Sequence, residues 1–240
     1  MSLLDVDSLV LRHGLLEAVH GVSLQVEPGE VVSLVGANGA GKTTLLRGIA
    51  GAHRVTRGSV SFDDRDVTRV SAHERVGLGI ALVPEGRRLF ANLTVEENLR
   101  VAQRSRAGGR WTVDSLLEAL PLLRPLRHQR AVTLSGGEQQ TVAIARALIT
   151  NPRLLLIDEL SLGLAPVAVD DVYASLRSVV GDGMTVLLVD QDFTRAASIS
   201  DRVVCMLEGR FVLEGAASDL TREQITEAYF GLHGRGVTSA

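Results

Sequence analysis

Residues 31–44 read Val31-Val32-Ser33-Leu34-Val35-Gly36-Ala37-Asn38-Gly39-Ala40-Gly41-Lys42-Thr43-Thr44, an apolar run that passes through a glycine-rich loop into the start of a helix. The loop fits the pattern G-x-x-x-x-G-K-[ST], in the strand-to-helix setting that the pattern requires. Glycines let the backbone wrap with its N–H groups pointing inward, and a helix N-terminus adds positive potential, so this stretch predicts a phosphate cradle. Gly36, Ala37, Asn38, Gly39, Ala40, Gly41 and Thr44 would surround the phosphates. Lys42 would reach the β- and γ-phosphates, and the Thr43 hydroxyl would ligate Mg²⁺.

A second run, Leu154-Leu155-Leu156-Ile157-Asp158-Glu159, is an apolar strand ending in two carboxylates. Such an exit lies at the carboxyl edge, where open α/β sheets bind ligands. Asp158 is expected to bind Mg²⁺ through water, and Glu159 to orient and deprotonate an attacking water.

Outward from these two runs, short apolar segments alternate with longer amphipathic ones. Val31–Val35, Arg153–Ile157, Met184–Val189 and, more weakly, Ile80–Val83 read as buried parallel strands. The expected fold is α/β, a mostly parallel sheet with an antiparallel β flap and a helical insertion, and the Gly36–Thr43 loop resembles that of the P-loop NTPase (RecA-like) folds. Residues 1–30 and 55–72 alternate polar and apolar and form the flap. Residues 31–54, 73–90 and 151–232 form the core, 91–150 a helical subdomain, and 233–240 a flexible tail. Within the helical stretch, Thr94-Val95-Glu96-Glu97 and Ser135-Gly136-Gly137-Glu138 both have capping-box spacing. Ala107-Gly108-Gly109-Arg110 reads as a flexible break, and Trp111 as core packing.

Composition narrows the function. The 240 residues carry 28 acidic and 25 basic side chains, a formal net charge of -3, which excludes bulk attraction to nucleic acid or anionic lipid. Hydrophobic residues make up 45% and aromatics 3%, so the core is sizeable and aliphatic. Cys205, alone within Val203–Leu207, reads as a small buried hydrophobe and fits a reducing compartment. No stretch reaches the roughly 18 apolar residues of a membrane span, and the acidic N-terminus lacks the layout of a signal peptide. The chain is expected in the cytoplasm, reaching a membrane only through a partner.

The two motifs so far suit a kinase, a GTPase or a helicase equally. Leu134-Ser135-Gly136-Gly137-Glu138-Gln139-Gln140 decides between them, because it resembles the signature of ATP-binding cassette (ABC) ATPases. Its chemistry stands unaided: a serine and two glycines at a helix N-terminus form a second anion site. Two half-sites on one chain suggest a head-to-tail dimer in which each Ser135–Glu138 segment completes the other chain's nucleotide pocket. The resemblance implies that the ligands are ATP and Mg²⁺. It places Ser161-Leu162-Gly163-Leu164 in the loop that signals between the two sites. Glu85 stands where the family has a Mg²⁺-contacting, transporter-coupling glutamine. Gln191 stands where a histidine contacts the γ-phosphate, Leu160 where a proline is usual, and His13 where an aromatic ring stacks on adenine.

These departures point to one branch. Val83-Pro84-Glu85-Gly86-Arg87-Arg88, Ser161–Pro166 and Glu227-Ala228-Tyr229-Phe230-Gly231-Leu232 resemble the cassettes of branched-chain amino acid importers, whose relatives serve short-chain amides and urea. The implied partners are a second cassette, commonly a different chain in that branch, membrane permeases and, indirectly, an extracytoplasmic solute-binding protein. No nucleic acid partner is implied, and the implied location is the inner face of the membrane. Arg87-Arg88-Leu89-Phe90 reads either as a grip for a permease helix or as a solvated arginine pair before core residues. The competing functions are a soluble cassette acting on DNA or ribosomes, and an ATP sensor that does not hydrolyse.

Overall fold

The computed structural model describes residues 2–103, 109–181 and 183–229. The first two residues of the break expected at Ala107–Arg110, the tail at 233–240 and the last three residues of the Glu227–Leu232 stretch lie outside them. The chain begins with β1 (Leu4–His13), β2 (Leu16–Val26), β3 (Val31–Val35) and α1 (Lys42–Ile49). Next come β4 (Val55–Phe62), β5 (Arg65–Asp66), α2 (Ala72–Leu78) and β6 (Ile80–Val83). A helical stretch holds α3 (Val95–Gln103), α4 (Val113–Ala119) and α5 (Gly136–Leu148). The remainder is β7 (Leu154–Ile157), α6 (Pro166–Val180), β8 (Thr185–Val189), α7 (Phe193–Ala197), β9 (Arg202–Leu207), β10 (Arg210–Ala216) and α8 (Arg222–Tyr229).

Every residue of β3, β7 and β8 is buried, as strands covered on both faces must be. They stand together in a six-stranded sheet of order β10-β9-β3-β8-β7-β6. All its pairings are parallel except β9 with β10, which closes one edge as an antiparallel hairpin. The two-residue side-chain period splits each strand between two cores. Leu155, Ile157, Val186 and Leu188 face a cluster shared with α3–α6, whereas Leu154, Leu156, Leu187 and Val189 face one shared with α1 and the second sheet. That second sheet is antiparallel, of order β2-β1-β4-β5. Trp111 packs into the helical core and Cys205 is fully buried.

Three features position the loops between these elements. Asn98 of α3, fully buried, receives the Phe90 N–H and donates to the Phe90, Leu93 and Thr94 carbonyls, fixing the chain between β6 and α3. Ser71, Thr94 and Ser135 each form a capping box with the glutamate three residues on. Arg75 of α2, 1% exposed, gives its guanidinium entirely to main-chain oxygens: Gly48 and Ile49 at the end of α1, and Val67, Thr68 and Val70. Cations suit a helix C-terminus, and Arg75 thereby anchors the far end of the helix that opens at Lys42. Burial pushes its pKa down to about 10.

Replacing Arg75 with Met keeps the volume and takes the guanidinium donor from five carbonyls, of which Gly48 and Val67 keep a main-chain N–H. The expected loss is about 2–4 kcal/mol of unfolding free energy, read from urea denaturation. An unchanged midpoint would contradict the anchoring role.

Candidate functional site

The loop from Gly36 to Gly41 leaves the carboxyl end of β3, and its shape rests on backbone that only glycine adopts easily. Gly41 has φ +103°, and a Cβ on it would meet the Ala18 carbonyl at 2.4 Å; at Gly36, φ +156°, a Cβ would lie 2.2 Å from the Met206 carbonyl. Ala37, Asn38 and Gly39 are exposed, while Ala40 is buried. Unlike α2, α4 and α5, α1 starts with no capping side chain and no acidic residue in its first turn. Its N-terminal N–H groups and positive potential are thus left for a ligand. Lys42, 3% exposed, donates to the Gly36 and Ala37 carbonyls at 2.7 and 3.0 Å. Burial lowers its pKa, with the carboxylates of Glu159, Asp158 and Asp190 pulling the other way.

Asp158 leaves the end of β7 directly opposite. Its Oδ1 receives the Thr43 hydroxyl at 2.8 Å; its Oδ2 is the buried side-chain oxygen or nitrogen that has no hydrogen-bond partner among the described residues. Burial raises the Asp158 pKa against that hydrogen bond, and the charges of Glu159 and Glu85 add to the rise. An all-oxygen set with an orphaned carboxylate oxygen fits a hard divalent cation such as Mg²⁺. Among the described residues no group of three His, Cys, Asp or Glu could hold a metal ion. Such a cation would therefore take its remaining ligands from water or substrate phosphates, as Mg²⁺ does.

Glu159 follows in a left-handed conformation, φ +52°, and its Oε2 receives the Gln191 side-chain N–H at 3.0 Å. Leu160, beside it, is fully buried and pins this turn to the core. Asp190, also fully buried, ties the neighbouring loops together. Its Oδ1 accepts from the Ser161 hydroxyl and from the Gln191 and Asp192 N–H groups, and its Oδ2 accepts from Tyr173 at 2.9 Å. Asp190 was not anticipated from sequence, although a carboxylate at the end of a buried strand was a signal. At the other side of the loop, the exposed ring of His13 lies with Nε2 3.1 Å from the Thr44 hydroxyl. The His53 ring is 4.6 Å from that of His13, a neighbour nothing in the local sequence announced.

The start of α5 packs against the chain that follows Glu159. The Ser135 N–H donates to Glu138, and the Glu138 N–H returns to the Ser135 hydroxyl. Both glycines serve close packing: a Cβ on Gly136 would lie 3.1 Å from Leu164, and one on Gly137 2.8 Å from Ala168. Lys42, Thr43, Asp158, Glu159, Gln191 and His13 are thus brought together, and Ser135–Glu138 share no hydrogen bond with the phosphate loop among the described residues. The Arg87–Phe90 stretch divides: Arg87 turns inward to Gln139 and Leu89 packs on the helical core, whereas Arg88 and Phe90 are exposed.

A family profile described as "ABC transporter" matches residues 19–161. The chain is 40% identical to the high-affinity branched-chain amino acid transport ATP-binding protein BraG of Pseudomonas aeruginosa, over 95% of this chain and 100% of that one. It is 31% identical to the lipopolysaccharide export system ATP-binding protein LptB of Haemophilus influenzae, over 96% and 98%. Among solved structures, a nucleotide-free ATP-binding cassette from an ABC transporter superposes with a TM-score of 0.82 at 27% identity, covering 95% of each chain. A dimeric post-hydrolysis cassette bound to ADP and Pi gives a TM-score of 0.77 at 26% identity, over 89% of this chain and 98% of that one.

An acid whose pKa is raised on folding binds its proton more tightly in the native state. Its penalty is therefore complete above the native pKa and fades as pH falls through it. Asp158→Asn should raise the unfolding free energy of the ligand-free chain near neutral pH, the gain shrinking in acid. A variant less stable than the parent at neutral pH would contradict an uncompensated charge at Asp158.

Proposed function

The chain belongs to the ABC transporter ATPase family, whose members hydrolyse ATP to drive transport, and from that membership we propose that it is the motor subunit of an importer for branched-chain amino acids or related amides. The observation that carries the reading is the uncapped start of α1, with Lys42 and the Thr43–Asp158 pair around it. On this reading the triphosphate displaces the Gly36 and Ala37 carbonyls from Lys42, whose ammonium moves to the β- and γ-phosphates. The N–H groups of Gly36–Thr44 hold the phosphates, and His13 lies against the adenine. Thr43, Asp158 and Glu85 hold Mg²⁺, which when bound would offset charge on the transferring phosphoryl. Glu159 takes the proton of the attacking water, held in position by Gln191, and Gln191 in turn by Asp190.

Ser135, Gly136, Gly137 and Glu138, which share no hydrogen bond with the phosphate loop of their own chain among the described residues, close on the γ-phosphate held by a second cassette, either a copy of this chain or a similar one. Likeness to a dimeric cassette supports that pairing. Residues 91–150 act as the lobe that moves on closure, against the core of 31–54, 73–90 and 151–232, with 1–30 and 55–72 as the flap. Among the described residues no helix is long and apolar enough to cross a membrane; on this reading the solute passes through separate permeases and the chain sits on the inner face. Phe90 and Val132, 51% and 60% exposed and adjacent through the hydrogen bond from the Val132 N–H to Ala91, offer the apolar surface for a permease. A solute-binding protein on the far side delivers the solute, and nucleic acid has no part.

The similarity to BraG over the full length favours amino-acid import; the similarity to LptB supports a second reading, lipopolysaccharide export. Reconstitution with the permeases that co-purify from source-cell membranes decides, since ATP turnover should rise with a loaded amino-acid-binding protein and stay flat with lipopolysaccharide. Glu159→Gln should bind ATP as the parent does and hydrolyse it at least about a hundredfold more slowly. Turnover at the parental rate would remove Glu159 from its role.

A further inference from the structure

Arg87, two residues beyond Glu85, places its guanidinium over the first turn of α5. Nη1 donates to Gln139 Oε1 at 3.2 Å, and a Cβ built on Gly136 would lie 3.2 Å from Nη2 and 3.7 Å from Cζ. A cation is unfavourable at the positive end of a helix, and among the described residues no carboxylate forms an ion pair with Arg87. The backbone beneath it is also in a costly state. Arg87 and Arg88 are both left-handed, φ +63° and +50°. Arg146 of α5 holds them there, donating to the Arg88 carbonyl at 2.6 Å and to the Arg87 carbonyl at 3.1 Å. The loop is thus fastened to α5 in a strained form whose result is an unneutralised guanidinium beside Ser135, Gly136 and Gly137. An anion arriving from outside the chain accounts for both features.

Resting on the head-to-tail reading above, we propose that Arg87 is a phosphate-binding residue in trans. In the ATP sandwich its guanidinium joins the Ser135 hydroxyl and the N–H groups of Gly136 and Gly137 on the γ-phosphate that the opposing phosphate loop holds. The planar fork suits phosphate oxygens, and Gln139 is the acceptor on which it rests until the phosphate arrives. Arg146 is a positioning residue. Arg88, next in sequence but exposed, takes no part.

The test uses the full chain carrying Glu159→Gln, so that bound ATP persists. Two quantities are read: the ATP affinity of the dilute chain, and its ATP-driven self-association by light scattering. Adding Arg87→Ala should leave the first at the parental value and weaken the second about tenfold or more. Arg87→Lys should recover part of it. Arg87→Ala lowering the affinity of the dilute chain by the same factor would place the residue in its own chain's site and overturn the assignment. Unaltered association in Arg87→Ala, while the parent associates, would overturn it too and leave the sandwich standing. A parent that does not associate with ATP removes the two-copy sandwich and the assignment together.

Discussion

Lys42 and Asp158 stand on either side of Thr43 as opposite charges drawn out of water, one an ammonium lowered in pKa by burial, the other a carboxylate raised by it. Neither has an ion-pair partner among the described residues. Lys42 makes do with two carbonyls and Asp158 with one hydroxyl. A fold tolerates such a pair only where burial is enforced from outside the site, and the six-stranded sheet enforces it. Strands β3 and β7, buried along their whole length, lead into the two residues from carboxyl ends on either side of β8, while Arg75 holds the far end of α1. The rest of the site follows from this constraint. A triphosphate and a divalent cation would reconcile the charges, supplying the missing anion and the missing positive charge together.

How much of this can be read in the sequence depends on whether the cause is local. The phosphate loop and the Leu154–Glu159 run are legible because each encodes its strand, its turn and its charge within a dozen residues. The capping boxes at Thr94 and Ser135 are legible for the same reason. β9 and β10 are harder to see, since β10 is an edge strand with alternate residues exposed and owes its existence to pairing with β9. Asp190 is harder still: its four bonds reach Ser161, Tyr173 and the chain just beyond it, and only the folded sheet brings Tyr173 within 2.9 Å. The pairing of His13 with His53 depends on the second sheet laying β1 beside the chain that follows α1. The inward turn of Arg87 runs against its sequence context, where two arginines before an apolar pair look equivalent; left-handed backbone and the grip of Arg146 separate them.

The glycines of the Ser135–Glu138 segment teach a related point. From sequence they read as room for an anion. In the fold, Gly136 and Gly137 are also demanded by Leu164 and Ala168, which press against the start of α5. A segment facing outward is therefore packed against the loop that begins at Ser161, and Ser161 is bonded to Asp190, which holds Gln191 against Glu159. A continuous set of contacts runs from Glu159 to the start of α5. That set gives a physical route by which events at one nucleotide could bias the other.

The proposed motor works only if the phosphate loop of one chain meets the α5 start of another when ATP is bound. The direct measurement is crosslinking of the Asn38→Cys, Ser135→Cys double variant with a short thiol-reactive linker, with Cys205 buried and left in place. Covalent dimers that form with ATP and Mg²⁺, and not with ADP, are the predicted result. Crosslinking that is indifferent to nucleotide, or confined within single chains, would contradict it.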